Sequence, residues 1–166
     1  MKSQTFSCDE EATAYHEAGH AVVGALRGRP PIFVTIIADG YVVGRNEFPK
    51  DWEPEFTGYM GDPPEKRTYI ETRLLTGIAG TIAHDLRFPE RAHDEGDAHD
   101  ERCARKVISQ NASWASGNRD EYFQQLQEVA RGLLQTHWPW VEAVARALIE
   151  RKTTSTAEVM ELRPFE

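Results

Sequence analysis

Apolar positions recur at helical spacing along most of the chain. Tyr15, Val22, Val23 and Leu26 fit one helix from about Asp9 to Arg27. Ser7-Cys8-Asp9-Glu10 has the spacing of a capping box at its start, and Gly28 followed by Pro30 and Pro31 stops it. The pattern then changes. Ile32 to Ile37 is β-branched and aromatic and predicts a strand. Asp39-Gly40 suits a tight turn, because Gly accepts a positive φ, and Tyr41 to Phe48 is the returning strand. A Pro- and Gly-rich stretch over 49–64 reads as a loop, long enough to be functional or mobile.

Helical spacing then resumes. Asp62 as cap, with Pro at the first helical position, opens a second helix. Its stripe is Ile70, Leu74, Leu75, Ile78, Ala79, Ile82 and Leu86, and it ends before Pro89. An acidic, His-containing loop from Arg91 to His99 leads to a third helix carrying Ala104, Val107 and Ile108. A fourth starts near Arg119, and Pro139 breaks it or begins a new turn before Val141, Val144, Ala145, Leu148 and Ile149 continue the pattern. Ser155-Thr156-Ala157-Glu158 is a second capping box, opening a short last helix. No internal repeat interrupts this order. The expected fold is mainly α (α+β), with a small β-hairpin near the N-terminus, in a single domain over 1–166.

Composition narrows the function. The chain has 166 residues, 40% hydrophobic and 28% charged, with a net charge of −8. An acidic chain without a basic stripe does not suit nucleic acid or an anionic membrane surface. No window approaches the ~18 apolar residues of a membrane span. The N-terminus turns acidic before any apolar stretch, unlike a signal peptide. Two cysteines, Cys8 and Cys103, form no framework, so a reduced, cytoplasmic protein is expected.

The chemistry concentrates in His16-Glu17-Ala18-Gly19-His20, an H-E-x-x-H motif inside the first helix. One turn apart, both imidazoles face the same way and can bind one metal ion, for which neutral imidazole and Zn²⁺ are well matched. Glu17 stands where a carboxylate can take a proton from an attacking water and deliver it to a leaving amine. A catalytic zinc needs a third protein ligand. Position 26 is Leu, so the extended motif with a third His is absent. The candidates are His84, Asp85, His93, Asp94, Asp97, His99 and Asp100. Helix phasing places Asp100 with Ala104 and Ile108 near a buried face, and Asp97 with Glu101 and Arg105 on a solvated one.

Thr13 to Val23 resembles, almost residue for residue, the zinc-binding helix of the peptidase domain of FtsH-type, ATP-dependent zinc metalloproteases, the M41 family. Val34 to Ile37 with Gly40 and Val42-Val43-Gly44 resembles that family's strand-turn-strand segment. Leu74-Leu75 through Gly80, Ala83 and Leu86 is similar to its Gly-rich second helix, and Val141 to Val159 to its last two helices. Gly96-Asp97-Ala98-His99-Asp100 resembles the stretch that supplies the third ligand. The resemblance implies a helical, zincin-like metalloprotease domain, with zinc held by His16, His20 and Asp100 and with Glu17 as general base and acid. It implies peptides or unfolded proteins as substrates. An extended substrate can pair main chain to main chain with the hairpin edge, for which Val42, Val43 and Gly44 are the nominated residues.

The chain departs from the family in three places. It contains no Walker A sequence and no membrane helix, so the expected activity is a zinc endopeptidase that works without ATP. Where the family carries Glu-Glu, this chain has His84-Asp85, read as a helix-end histidine with a solvated partner or as a group near the zinc. The segment between Ser109 and Glu121 is shorter than the family's. Alternative expectations are a zinc-bearing adaptor, or a protease subunit active only with a separate ATPase. The oligomeric state is left open. Trp114, Trp138 and Trp140 read as packing residues, and Cys103 as a buried thiol.

Overall fold

A computed structural model describes residues 5–40, 42–50 and 64–165, with side chains from residue 10 onward and none at Pro64. In chain order the elements are α1 (Thr5–Leu26), β1 (Phe33–Thr35), β2 (Arg45–Glu47), α2 (Pro64–Arg87), α3 (Glu95–Asn111), a 3-10 turn (Ser113–Ala115), α4 (Arg119–Thr136), α5 (Trp138–Arg151), β3 (Thr153–Ser155) and α6 (Thr156–Glu161). The fold is mainly α with one small antiparallel sheet, as the hydrophobic pattern predicts. The loop expected over 49–64 and the Asp62 cap fall almost wholly outside the described residues.

Helix α1 is the central element and packs on both α2 and α5. Ala14, Ala18, Ala21, Val22 and Val23 are fully buried, and they need to be small because two helices close on them. A Cβ at Gly19 would lie 2.5 Å from the Ala79 carbonyl oxygen and 2.6 Å from Ala83 Cβ, so α1 and α2 approach backbone to backbone there. The helix is already formed at Thr5, ahead of the predicted Asp9. Ser7 therefore lies within the helix, and its side chain, on which the predicted capping box depends, lies outside the described residues. The stop occurs where expected: Gly28 adopts φ +75°, and the Arg29 N–H returns to the Gly24 carbonyl at 2.7 Å.

The predicted hairpin forms, with Val34 opposite Asn46 and a turn in which Asp39 pairs with Val42 around Gly40 at φ +64°. The strands are shorter than the sequence pattern. A third strand joins them: Val34 also pairs with Thr154, giving the order β2-β1-β3. Strand β1 is thus covered on both sides, and β2 and β3 form the two edges of the sheet. Ser155 then caps α6 in the predicted capping box with Glu158. The second-helix stripe is buried from Ile70 to Ile82, with Leu86 half-buried against the same core. Trp140 is fully buried and donates to the Val159 carbonyl at 2.8 Å, and Trp138 stacks on Tyr15 at 5.8 Å, both as packing residues. Cys103 is exposed, which corrects the expectation of a buried thiol: it lies on α3, 3.4 Å from His99 Nε2 and along the wall of a cleft that it shares with His20 and Asp100.

Candidate metal centre

One turn of α1 separates His16 from His20, and their Nε2 atoms stand 3.0 Å apart. From α3, Asp100 Oδ2 comes within 3.0 Å of His16 Nε2 and 3.1 Å of His20 Nε2. Among the described residues these three make the one group that can offer a metal ion three ligand atoms.

Hydrogen bonds decide which atoms present lone pairs. His20 Nδ1 is 2.7 Å from the Thr76 carbonyl oxygen, which can only accept, so Nδ1 carries the hydrogen. His16 Nδ1 donates to Asp97 Oδ1 at 3.1 Å. Both Nε2 atoms are then bare, and Asp100 Oδ2 is buried with no hydrogen-bond donor. Three acceptors facing one another repel unless a cation lies among them. Donor atoms around a tetrahedral ion with bonds of ~2.0–2.1 Å sit roughly 3.3 Å apart, close to the spacing seen.

Gly80 of α2 completes the cradle. A Cβ there would press on His20 Nε2 and lie 2.7 Å from His16 Nε2. Two neutral imidazoles and a carboxylate suit zinc, so the residues present fit that ion.

The electrostatics agree. Burial works against a charged His16, yet the Asp100 and Asp97 carboxylates, with Glu17 nearby, raise it to about 10, so that with no metal ion present a proton takes the cation's place among these atoms. His20 is raised as well, mainly by Asp100 against the effect of burial. Burial would raise Asp100, but the two imidazoles hold it well below the ordinary carboxylate range. The site draws positive charge to itself.

Glu17 is buried beside this group, and Asn46 of β2 holds it. Asn46 Nδ2 donates to Glu17 Oε2 at 2.6 Å and to the Glu17 carbonyl at 3.0 Å. Gly44 leaves the room it needs: a Cβ at position 44 would lie 2.6 Å from Glu17 Oε1. A cleft of about 500 Å³ opens over His16, Glu17 and His20, with Val42, Val43 and Gly44 along one wall. Val42 and Val43 are 52% and 61% exposed. A second cleft of about 280 Å³ shares His20, Asn46 and Asp100 and continues past Phe48 and Val107.

Of the candidates for a third ligand, only Asp100 meets the two imidazoles. Asp85 pairs with exposed His93 at 2.8 Å, and His99 is exposed on α3. Asp94 caps α3, whose first turn takes in the end of the predicted loop.

Two readings are corrected. Asp97 is not on a solvated face; it is 0% exposed. His84 is no solvated helix end; it is 3% exposed and its Nδ1 donates to Asp97 Oδ2 at 2.6 Å. Asn46 was missed altogether, since a strand Asn carries no signal of its own.

Two imidazoles and one carboxylate could hold a metal ion here, with a buried glutamate held beside them, in a helical frame. Comparison with known proteins points the same way. Over 101 residues the chain is 37% identical to the ATP-dependent zinc metalloprotease FtsH of Haemophilus influenzae, which covers 59% of this chain and 14% of that protein. It is 30% identical over 105 residues to the chloroplastic FTSH of Capsicum annuum, covering 60% of this chain and 15% of the relative. Similarity to the chloroplastic FTSH of Nicotiana tabacum extends over 165 residues at 24% identity, covering 91% of this chain and 22% of the relative. The chain thus spans about one seventh of the length of the first two. No family model matches the chain. The matches relate a region of the chain to the FtsH zinc metalloproteases. No helix among the described residues is long and apolar enough to cross a membrane.

Proposed function

We propose that the chain is a zinc-dependent endopeptidase of the M41 type that hydrolyses peptides or unfolded protein segments. The observation that carries this is the meeting of three lone-pair atoms, from His16, His20 and Asp100, beside the buried carboxylate of Glu17. These three residues hold the zinc. The ion, when bound, supplies Lewis acidity to the scissile carbonyl and makes water a better nucleophile at neutral pH. Glu17 takes the proton of the attacking water and hands it to the leaving nitrogen. Asn46 fixes one Glu17 oxygen and so aims the other.

The substrate lies extended through the two joined clefts, against Val42, Val43 and Gly44 beside the free edge of β2. The bond-breaking step needs no ATP, because water is the nucleophile and peptide hydrolysis is itself downhill.

The test is cleavage of casein by zinc-loaded protein without ATP, comparing wild type with Glu17→Gln. Cleavage by wild type alone, with zinc retained in both, is expected. Equal turnover in the variant would refute the role of Glu17. No cleavage by zinc-loaded wild type would favour an adaptor, or a subunit that needs a separate ATPase.

A further inference from the structure

Asp97 is the most deeply buried charged group beside the centre, and each of its oxygens is claimed by a different element. Oδ1 accepts from His16 Nδ1 on α1 at 3.1 Å. Oδ2 accepts from His84 Nδ1 on α2 at 2.6 Å and from the Asp94 N–H at the start of α3 at 3.1 Å. Its own N–H donates to Asp94 Oδ1 at 3.0 Å, closing a capping box. Asp100, on the next turn of α3, is the carboxylate that faces both imidazoles. One buried carboxylate therefore ties together the three helices that carry the centre.

We propose that Asp97 is the positioning residue of the metal centre, with His84 as its obligatory hydrogen-bond partner. Asp97 fixes the His16 tautomer with the hydrogen on Nδ1, which leaves Nε2 bare for the ion. Through the capping box it also sets the start of α3, and with it the placement of Asp100. His84 keeps the carboxylate from turning: with Oδ2 engaged at 2.6 Å, only Oδ1 is left for His16. The hydrogen bond of His84 goes to Asp97, not to a ligand side chain, so it acts through Asp97. This rests on the metal-centre reading above and adds to it a pair that the H-E-x-x-H motif does not contain.

The chemistry of Asp97→Asn makes the inference testable. An amide offers one acceptor and one NH₂. Turned one way, the NH₂ meets the His84 and Asp94 donors; turned the other, it meets the Nδ1–H of His16 and forces the hydrogen onto Nε2. The full chain is titrated with Zn²⁺ in competition with a chromophoric chelator, and with Co²⁺ for its d–d absorption.

Asp97→Asn and His84→Leu should each raise the zinc dissociation constant by ~10–100-fold and shift the Co²⁺ bands. His84→Gln, which keeps a donor, should recover most of the loss. Asp94→Ala removes the Asp94 half of the capping box but leaves the Asp97 side-chain bonds to His16 and His84; it should lower the melting temperature of the metal-free protein and weaken zinc by less than either Asp97→Asn or His84→Leu. A merely structural role for Asp97 would move melting temperature and leave the Co²⁺ spectrum alone. Should Asp97→Asn fail to fold, the His84→Leu and His84→Gln pair decides. Wild-type zinc affinity in Asp97→Asn or His84→Leu would overturn the positioning role alone, whereas wild type that takes up no zinc would overturn the metal-centre reading beneath it.

Discussion

Gly80→Ala adds one methyl group to the middle of α2 and should abolish the metal centre while leaving the fold. The new Cβ would stand 2.7 Å from His16 Nε2 and 2.7 Å from His20 Cε1, and closer still to His20 Nε2. Ordinary carbon contacts are about 3.5–4.0 Å, so both rings must retreat by about 1 Å. Metal sites tolerate only about 0.2 Å in ligand distance. Pushing a ring off its rotamer costs roughly 0.5–1.5 kcal/mol, close to the ~0.8–1.0 kcal/mol that Ala gains over Gly in a helix. Metal-free stability should therefore change little. Zinc affinity should fall by more than ~100-fold, about 2.7 kcal/mol, because the methyl takes the space the three ligand atoms share. Gly77→Ala is the control: the same helix, one turn earlier, with nothing within 4 Å of its Cβ. It should gain up to ~1 kcal/mol and keep its zinc. Chelator competition gives the affinity, and melting with and without EDTA gives the stability. Zinc binding by Gly80→Ala as tight as wild type would refute the placement of the ion.

Three further outcomes separate the parts of the site. Gly44→Ala would set a Cβ 2.6 Å from Glu17 Oε1 and 2.7 Å from Thr13 Cγ2; it should keep zinc yet lower casein cleavage by ~100-fold, measured as initial rate. Asp100→Ala should lose zinc in equilibrium dialysis, whereas Asp85→Ala, which removes only the partner of exposed His93, should not. Trp140→Phe leaves the Val159 carbonyl without its buried donor and should cost about 1–3 kcal/mol in urea unfolding, with zinc affinity untouched.

How much of this was legible in the sequence depends on how local each contact is. His16, Glu17 and His20 lie within one turn, so their spacing was enough to gather them. Asp100 could be chosen only with the help of phasing and of the family likeness, since it meets α1 across more than eighty residues of chain. Phasing failed at Asp97 for a specific reason. A helical wheel assumes a side chain that points outward from a continuing helix. Asp97 occupies the third position of α3, where a carboxylate folds back to cap the helix start, and α1 and α2 then close over it. The choice between the two readings of His84 stayed open for want of the same partner, and its bond to Asp97 overturns the solvated one. Strand β3 went unseen because three residues after a helix give no alternation to detect, and it exists only because β1 has an edge to offer.

The smallest residues carried more of the site than their side chains could announce. Gly19 lets α1 meet the backbone of α2, which sets the depth of the histidine-bearing turn. Gly80 then leaves space opposite both imidazoles, and Gly44 leaves space beside Glu17. Each stands on a different element, and none has a positive φ that would require glycine. Turn geometry therefore explains none of the three; close approach explains all of them. The His, Glu and Asp residues name the chemistry, but these three empty positions determine that α1, α2 and the approach to β2 can come close enough for it.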